Sequence, residues 1–223
     1  MDFNCSFNDK QVLLGMDLAI NPKDIVLPGN LLYPQNTMRN MARRHCKSRW
    51  VMCPDVDMVF PDAQHGGVPS FYTRLNSFLK NESRQNCEQC AYVLPLYEVE
   101  DLGFNRVPNS KKELLQYVAN KSAQIYHSAT FSGNQRNSNL SVWEQMPLRD
   151  EIQEAFPINY TWWYEPVYIV QHGSPPFDER FIGYGLTRNT QVSLFLRCIS
   201  VLHKRCFSTK IEIIINCAFI SGS

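Results

Sequence analysis

The sequence turns from apolar to acidic in the stretch Trp50-Val51-Met52-Cys53-Pro54-Asp55-Val56-Asp57-Met58-Val59-Phe60-Pro61. The apolar residues predict a strand at 49–52, and the two carboxylates follow where that strand gives way to a loop. Ligand sites in open α/β sheets lie just beyond the carboxyl ends of strands. Paired carboxylates bind hard divalent cations, so Asp55 and Asp57 are candidate ligands of a cation that grips a diphosphate. A turn with two solvated aspartates is the alternative.

A polar helix face precedes this stretch. Residues 31–42 are typical of a turn that opens a helix, expected over 37–46, with Pro34 near its start. Asn36, Arg39 and Asn40 stand at i, i+3 and i+4, so their side chains would share one face of that helix. On the pattern alone, a solvated helix face explains these residues equally well.

Together these motifs resemble a known family. The pattern Tyr-Pro-x-Asn-x-x-Arg-Asn-x-Ala at 33–42, followed by Asp-x-Asp-Met-Val at 55–59, is similar to glycosyltransferase family 49. That family contains the beta-1,4-glucuronyltransferases, also named N-acetyllactosaminide beta-1,3-N-acetylglucosaminyltransferases, and the second catalytic domain of the LARGE enzymes. The similarity continues through residues 92–98, 111–115, 163–169 and 176–185, so it covers about residues 31–191.

The resemblance implies a fold and an activity. The fold would be a GT-A-like α/β nucleotide-sugar transferase domain, with a mixed central sheet and flanking helices. The activity would be metal-dependent, inverting transfer of glucuronic acid from a UDP-sugar to a glycan acceptor on a glycoprotein. An N-acetylglucosaminyl donor is the alternative within the family, and a truncated, non-catalytic lumenal paralogue is the alternative outside catalysis.

The resemblance also implies a location and a missing part. Family members are type II Golgi proteins with an anchor before the catalytic domain. Residues 1–30 would correspond to the middle of the nucleotide-binding half. The N-terminal strands that help to seat uracil and ribose are therefore expected to be missing, as in a fragment, a shortened isoform or an incomplete gene model.

The resemblance assigns metal and donor ligands. Asp55 and Asp57 would bind manganese, and His203, in Val201-Leu202-His203-Lys204-Arg205, would be the third ligand or else a surface histidine. Asn36, Arg39 and Asn40 would bind the donor. An arginine fork can hold a phosphate or the carboxylate of a glucuronyl sugar.

Carboxylates later in the chain are candidates for the catalytic base. The acceptor hydroxyl must lose a proton while a diphosphate departs. Asp178 is the first candidate, with the N-cap of a helix over 179–184 as its structural alternative. Its neighbour Glu179 would assist, pair with Arg180 or bind the acceptor, and Glu165 is the other contender for the base.

An aromatic stretch around Glu165 is predicted to bind the acceptor. Trp163, Tyr164 and Glu165 would do so by stacking on a sugar and hydrogen bonding to it. A strand so rich in aromatic residues is also typical of a core. The stretch forms the start of a strand predicted over 163–171.

The composition is that of an ordinary globular domain. With 223 residues, 44% of them hydrophobic, and a net charge of +1, the chain suits one domain over 1–223 with a sizeable core. The balanced charge gives no electrostatic reason to expect binding to nucleic acid or an anionic membrane. No stretch reaches the roughly 18–20 apolar residues of a membrane span. Membrane attachment is expected only through an N-terminal anchor that this sequence does not include.

Two features favour a lumenal history. Glycosylation sequons begin at Asn4, Asn81, Asn120, Asn139 and Asn159, and the chain has eight cysteines, compatible with an oxidising compartment. Cys87 and Cys90 form a Cys-x-x-Cys pair without a second pair or a histidine pair nearby. A disulfide or plain thiols are therefore expected there rather than a zinc site.

Further segments predict an alternation of strands and helices. Strands are expected at 11–15 and 90–99, and helices at 70–81 and 110–122, the second of which begins with a Ser110 to Glu113 capping box. Residues 133–139 are polar and predict a surface loop. Residues 192–223 form a tail that departs from the family pattern, in which 211–220 would be a closing strand or an aggregation-prone end.

Overall fold

A computed structural model of the chain describes residues 34–55, 57–60, 69–87, 90–99, 108–161, 163–182, 188 and 191–192, and the backbone of two strands within 210–222. The helices are α1 Gln35–His45, α2 Phe71–Leu79, α3 Glu82–Gln85, α4 Lys111–Ala119 and α5 Leu140–Gln145. The strands are β1 Trp50–Met52, β2 Met58–Val59, β3 Cys90–Leu94, β4 Leu96–Val99, β5 Ala123–Ile125, β6 Gln153–Pro157, β7 Val167–Gln171, β8 Lys210–Ile215 and β9 Phe219–Gly222. The predicted strand at 11–15 and His203 lie outside the described residues.

The strands form two small mixed sheets. The first has the order β1-β7-β3-β8-β6 and the second the order β2-β9-β4-β5. In the first sheet β7 runs antiparallel to both neighbours, whereas β3 and β8 are parallel. The single closing strand expected over 211–220 is not what the described backbone shows, since this segment contributes β8 to the first sheet and β9 to the second. The predicted mixture of helices and mixed sheet is confirmed, with two sheets in place of a single central one.

Pro95 divides what the sequence analysis predicts as one strand. β3 belongs to the first sheet and β4 to the second, and the break falls at Pro95 between them. Proline has no backbone N–H for a strand ladder, so pairing stops at this position and can resume with a different partner. The prediction of a continuous strand over 90–99 is therefore wrong.

Both faces of the first sheet are buried at β1, β3 and β7. Side chains alternate between the faces, since successive residues of a strand point in opposite directions. One core cluster contains Val51, Ala91, Val93 and Val170 and packs on Leu114, Trp143 and Tyr164. The other contains Trp50, Tyr92, Leu94 and Ile169 and packs on Phe71, Leu75, Phe78 and Leu79 of α2. Each fully buried aliphatic or Phe side chain stabilises the fold by roughly 1.5–3 kcal/mol. No helix among the described residues has the length and apolarity needed to cross a bilayer.

Side-chain caps set the starts of α2, α3 and α4. The Ser70 Oγ accepts from the Thr73 N at 3.2 Å, and the Ser110 Oγ accepts from the Glu113 N at 3.1 Å. The Glu113 carboxylate accepts from the Asn109 N at 2.9 Å, one residue before the N-cap, so the Ser110 half of the predicted capping box forms and the Glu113 half is shifted by one residue. The predicted helix over 70–81 ends at Leu79, because Asn81 caps the start of α3 instead.

Lys111 joins α4 to α5. Its Nζ donates to the carbonyl oxygens of Trp143 at 2.5 Å and Met146 at 2.8 Å, and it lies 4.5 Å from the centre of the Trp143 ring. The lysine is 4% exposed, and burial lowers its pKa while the charge of Glu144 opposes that shift. A buried cation thus satisfies carbonyls at the C-terminus of α5, the end of a helix that favours positive charge.

Cys87 and Cys90 form a disulfide. Of the two expectations for this pair, the disulfide is therefore confirmed. Cys90 is the first residue of β3 and is buried, whereas Cys87 precedes the strand. The bond ties the chain after α3 to the beginning of the strand that leads into the core.

Candidate functional site

The pairing of β1 with β7 determines where the candidate site lies. These strands are antiparallel, with Trp50 opposite Gln171 and Met52 opposite Ile169. In an antiparallel pair the end of one strand lies beside the beginning of the other. Asp55 follows the end of β1 and Glu165 precedes the beginning of β7. The register therefore places Asp55 and Glu165, which are far apart in the sequence, at the same end of the strand pair.

Asp55 lies between two buried arginines. Its Oδ1 accepts from the Arg39 Nη2 at 2.9 Å, and its Oδ2 forms an ion pair with Arg188. The side chains of Arg39 and Arg188 are 10% and 9% exposed, whereas that of Asp55 is 31% exposed. Burial, and then the charge of Arg188, lower the pKa of Arg39, while Asp55 raises it. Both oxygens of the carboxylate are thus engaged by guanidinium groups.

Asp55, one of the predicted manganese ligands, has its carboxylate oxygens engaged by arginines. Asp57 lies in the turn after Asp55, which closes with a hydrogen bond from the Met58 N to the Asp55 O at 3.1 Å. Carboxylate oxygens suit a hard cation, but those of Asp55 are occupied by arginines. Among the described residues, no group of three or more His, Cys, Asp or Glu side chains is placed to hold a metal ion. The manganese ligands Asp55, Asp57 and His203 stay a prediction.

Glu165 is a half-buried carboxylate held in place by hydrogen bonds. Its Oε2 accepts from the Asn134 Nδ2 at 3.2 Å, and its backbone N donates to the Asn134 O at 3.1 Å. The Gln135 Nε2 donates to the Glu165 O at 3.1 Å. Burial raises the pKa of Glu165, and the charges of Arg188, His127 and Arg39 and the Asn134 hydrogen bond oppose that rise. The same two arginines therefore act on Glu165 and on Asp55.

The polar segment before α5 supports Glu165 from inside the fold. Residues 132–134 and 136–138 form two 3-10 turns, and Asn134, Gln135 and Ser138 are buried. The Gln135 Nε2 donates to the Asn134 Oδ1 at 2.7 Å, and the hydroxyls of Ser138 and Tyr164 share a hydrogen bond of 2.7 Å. The prediction of a surface loop over 133–139 is wrong for these residues, because they satisfy one another and can be buried.

The predicted helix face on α1 forms, but two of its residues serve the fold. Asn36 and Asn40 are 0% and 3% exposed. The Asn36 Nδ2 donates to the Asp178 O at 2.8 Å, and Asn40 makes a reciprocal pair of hydrogen bonds with the backbone of Phe177. Arg39, from the same face, reaches Asp55 and forms an ion pair with it.

Asp178 is bound to Arg180. Its carboxylate accepts from the Arg180 backbone N at 3.1 Å, from Nε at 2.9 Å and from Nη2 at 2.5 Å. Hydrogen bonds from the Arg180 side chain, and then its backbone N–H, lower the pKa of Asp178 to about 2. The alternative of a helix beginning here is not seen in the described residues, where 179–180 form a turn. The catalytic role of Asp178 stays a prediction.

Glu179 faces α1 rather than its sequence neighbour. Its Oε1 accepts from the Asn40 Nδ2 at 2.8 Å, and the side chain lies 3.7 Å from the Arg44 Nη1. The Thr37 hydroxyl approaches its other oxygen at 3.4 Å. The pairing with Arg180 proposed from the sequence is therefore taken by Asp178, and Glu179 pairs with Arg44.

The aromatic residues before β7 divide between surface and core. Trp163 is 52% exposed, and its ring meets that of Phe131 edge to face at 5.9 Å, where Phe131 is itself 45% exposed. Tyr164 is fully buried, and burial raises its pKa. We therefore place Tyr164 in the core rather than on the acceptor surface. The strand predicted over 163–171 begins only at Val167.

Three residues of the site are not predicted from the sequence. Arg188, Asn134 and Phe131 contact Asp55, Glu165 and Trp163 respectively. Phe131 carried a usable signal, as an aromatic residue in an otherwise polar, turn-rich segment. Arg188 and Asn134 carried none, because only the folded chain brings them to their partners.

Known proteins share this sequence pattern. A sequence model of the family described as "Glycosyl-transferase for dystroglycan" matches residues 2–198. The chain is similar to beta-1,4-glucuronyltransferase 1 of Danio rerio, with 27% identity over 171 residues, 76% of this chain and 37% of that protein. It is similar to the protein of the same name from Homo sapiens, with 27% identity over 162 residues, 73% of this chain and 36% of that protein. It also resembles the xylosyl- and glucuronyltransferase LARGE2 of Mus musculus, with 26% identity over 154 residues, 69% of this chain and 20% of that protein. The chain thus spans little more than a third of the length of the first two relatives.

Proposed function

The chain belongs to the family described as glycosyl-transferase for dystroglycan, and we propose that it transfers glucuronic acid, with inversion, from a UDP donor to a glycan acceptor on a glycoprotein. The name of the similar Danio rerio and human proteins, beta-1,4-glucuronyltransferase 1, supports this choice of sugar. The observation that carries the proposal is that Asp55, Glu165 and two arginines lie at one end of the β1–β7 strand pair. A GT-A-like arrangement of the whole domain is part of the same proposal.

Glu165 is our choice for the catalytic base. In the reaction, an acceptor hydroxyl oxygen forms a bond to the anomeric carbon of the donor sugar while the bond from that carbon to the phosphate oxygen breaks. The electron pair leaves with UDP, and the hydroxyl proton passes to Glu165. A raised pKa suits a general base better than a depressed one, since the group must hold the proton it receives. Burial raises the pKa of Glu165, whereas Arg180 holds that of Asp178 at about 2.

The two arginines supply positive charge for the donor. Arg39 and Arg188 lie beside Asp55, and their guanidinium groups can hold the oxygens of a diphosphate or a uronic acid. Preorganised cations placed where negative charge develops lower the barrier to departure of the leaving group. Asn36 and Asn40 contribute by fixing α1, and through it Arg39, against the Phe177 segment.

The acceptor binds on the exposed aromatic pair. Trp163 stands two positions before Glu165 in the chain and meets Phe131 edge to face. Exposed aromatic rings present flat apolar faces that can stack on a sugar. Stacking there would bring an acceptor hydroxyl into the neighbourhood of Glu165.

Manganese and a Golgi location belong to the proposal as well. A bound cation would supply Lewis-acid charge at the departing diphosphate. The ligands would be Asp55, Asp57 and a third group. The secretory pathway agrees with the Cys87–Cys90 disulfide, since such bonds persist in oxidising compartments.

The first experiment measures transfer and donor binding separately. The purified chain is titrated with UDP by calorimetry, with and without manganese chloride, and incubated with UDP-glucuronic acid and a panel of glycan acceptors. Binding of UDP together with a glycan product of inverted anomeric configuration supports the proposal. A folded chain that binds UDP but uses only UDP-N-acetylglucosamine would change the donor, and one that binds no UDP would be a non-catalytic paralogue.

A further inference from the structure

The Asn81 side chain uses only one half of its amide within the fold. The residue is exposed and begins the sequon Asn81-Glu82-Ser83, at the junction between α2 and α3. Its Oδ1 accepts from the Ser83 N at 3.0 Å and from the Ser83 Oγ at 2.7 Å. Its Nδ2 makes no hydrogen bond with any residue that the structure describes, whereas the Nδ2 groups of Asn36 and Asn40 are bound to backbone carbonyls. The Asn81 nitrogen can therefore carry a substituent without losing a contact.

A substituent on this nitrogen is compatible with the local backbone. Asn81 is the N-cap of α3, and the cap depends on Oδ1, which a bond to Nδ2 leaves in place. With φ −59° and ψ 134°, the backbone of Asn81 lies outside the helical region, so the sequon starts in a turn. Sequons are modified where they lie on the surface of secreted proteins. Exposure, the turn and the unbonded nitrogen thus make Asn81 a suitable acceptor of a glycan.

A groove on the surface begins at Asn81. Its volume is about 860 Å³, and none of the described residues that line it belongs to the candidate functional site. Thr73 and Ser77 stand one turn apart on α2 and are part of the lining, as are Arg74 and the segment 150–154. Because Asn81 itself lines the groove, a group attached to its side chain starts inside it.

The groove has groups that can hydrogen-bond to a sugar. The hydroxyls of Thr73 and Ser77 can both donate and accept, the guanidinium of Arg74 donates, and the carboxylate of Asp150 accepts. The Arg74 Nη1 also donates to the Asp150 O at 3.4 Å, which links α2 to the segment 150–154. The volume falls within the roughly 300–1,000 Å³ of pockets that take small ligands. The groove is therefore suited to the first sugars of a glycan.

We propose that Asn81 carries an N-linked glycan whose first sugars lie in this groove. The new bond joins the Asn81 Nδ2 to the anomeric carbon of the first sugar. The bond from that carbon to the diphosphate of a lipid-linked oligosaccharide breaks, the electron pair leaves with the diphosphate, and Nδ2 loses one proton. This inference goes beyond the transferase activity and rests on the lumenal location that is part of the proposed function.

The first test measures occupancy at Asn81. The full chain is secreted from mammalian cells behind a cleavable leader, and its glycans are released enzymatically in oxygen-labelled water. Each occupied asparagine becomes a labelled aspartate, which peptide mass spectrometry detects. We expect the label at Asn81 in wild type and in Ser83→Thr, and its loss in Ser83→Ala and Glu82→Pro. An unlabelled Asn81 in the folded wild-type chain overturns the inference.

The two loss variants are chosen to keep the fold. Ser83→Ala retains the backbone N that donates to the Asn81 Oδ1. Glu82→Pro places proline at the first position of α3, where helices favour it, after a residue whose ψ of 134° suits a following proline. Proline at the middle position of a sequon prevents its modification. If one variant does not fold, the other decides, and occupancy of the wild-type chain decides without either.

The second test asks whether the sugars lie in the groove. Release of the glycan from Asn81 by an endoglycosidase is timed in native wild type and in native Ser77→Arg, whose longer side chain fills the groove beside Asn81. Sugars held in the groove are shielded from the enzyme, so we expect release to be severalfold slower in wild type than in the variant. The two rates should become equal after denaturation. Equal rates in the two native proteins overturn the groove as the position of the glycan.

Calorimetry with UDP on the same samples separates this inference from the proposed function. The leader sets the compartment, and the groove shares no described lining residue with the candidate site. A chain that binds UDP with Asn81 unoccupied keeps the proposed function and overturns the inference. A chain that binds no UDP with Asn81 occupied supports the inference and counts against the proposed function.

Discussion

Asn40 and Phe177 are joined by two reciprocal hydrogen bonds. The Asn40 Nδ2 donates to the Phe177 O at 2.8 Å, and the Phe177 N donates to the Asn40 Oδ1 at 2.9 Å. One amide side chain thus satisfies both polar groups of a buried backbone position, as a neighbouring strand would. The Arg39 guanidinium lies 5.2 Å from the centre of the Phe177 ring, on the way to Asp55. The hydrogen bonds that hold α1 at Asn40 therefore also orient Arg39 towards Asp55.

Replacement of Asn40 should destabilise the fold. Asn40→Ala leaves the buried N–H and C=O of Phe177 without these partners, and each unsatisfied group costs about 1–3 kcal/mol. We expect the free energy of unfolding to fall by roughly 2–4 kcal/mol in urea denaturation. Asn120→Ala, at an exposed position after α4, is the control and should lie within about 0.5 kcal/mol of wild type. Equal losses in the two variants would contradict the role of Asn40.

Substitution of each carboxylate by its amide distinguishes Glu165 from Asp178 as the catalytic base. Glu165→Gln removes the carboxylate without changing its size, and we expect kcat to fall by about 100- to 10,000-fold with UDP affinity kept. Asp178→Asn should lose much less, because Arg180 already holds that carboxylate in its ionised form. Steady-state kinetics and UDP calorimetry on both variants measure this difference. A larger loss of kcat in Asp178→Asn than in Glu165→Gln would identify Asp178 as the catalytic base instead.

The pH profile should show the raised pKa of Glu165. The base acts when it is ionised, so kcat/KM should fall as the pH drops through a pKa above the ordinary glutamate value of about 4.3. Asn134→Ala removes a hydrogen bond that favours the ionised form. The acidic limb of the variant should therefore lie at higher pH than that of wild type. An unchanged limb, or one moved to lower pH, would exclude Glu165 as its origin.

Lys111 offers a stability test away from the site. Lys111→Met keeps the apolar stem but removes the ammonium group from two buried carbonyls and from the Trp143 ring. We expect a loss of roughly 2–4 kcal/mol in the free energy of unfolding. Lys112→Met is the matched control, since the neighbouring lysine is exposed. Nearly equal stabilities of the two variants would show that the buried contacts contribute little.

Local patterns in the sequence predict a good part of this molecule. The i, i+3, i+4 spacing places Asn36, Arg39 and Asn40 on one face of α1, and the side chain of Ser110 caps the start of α4. Such features depend on residues within one or two turns of each other, so the sequence contains what decides them. Pro95 was equally readable, since a proline that cannot donate to a ladder breaks a strand wherever it stands.

Local sequence patterns do not predict that some polar residues are buried. Asn134, Gln135 and Ser138 have the composition of a surface loop, and they are buried because Tyr164 and Glu165, distant in sequence, complete their hydrogen bonds. The role of Arg188 likewise becomes visible only in the fold, where it forms an ion pair with Asp55. Whether a polar side chain is exposed or buried depends on partners that only the fold supplies.

The antiparallel register of β1 and β7 also sets an order of events in folding. Asp55 and Glu165 reach the same end of this strand pair only once the two strands have paired, and that pairing closes a long loop of chain. Contacts between residues distant in sequence form slowly, because the entropy of loop closure is lost before they contribute. A slip of one residue in this register would also turn the flanking side chains to the opposite face. Recovery of UDP binding during refolding would then follow, rather than precede, the recovery of sheet structure.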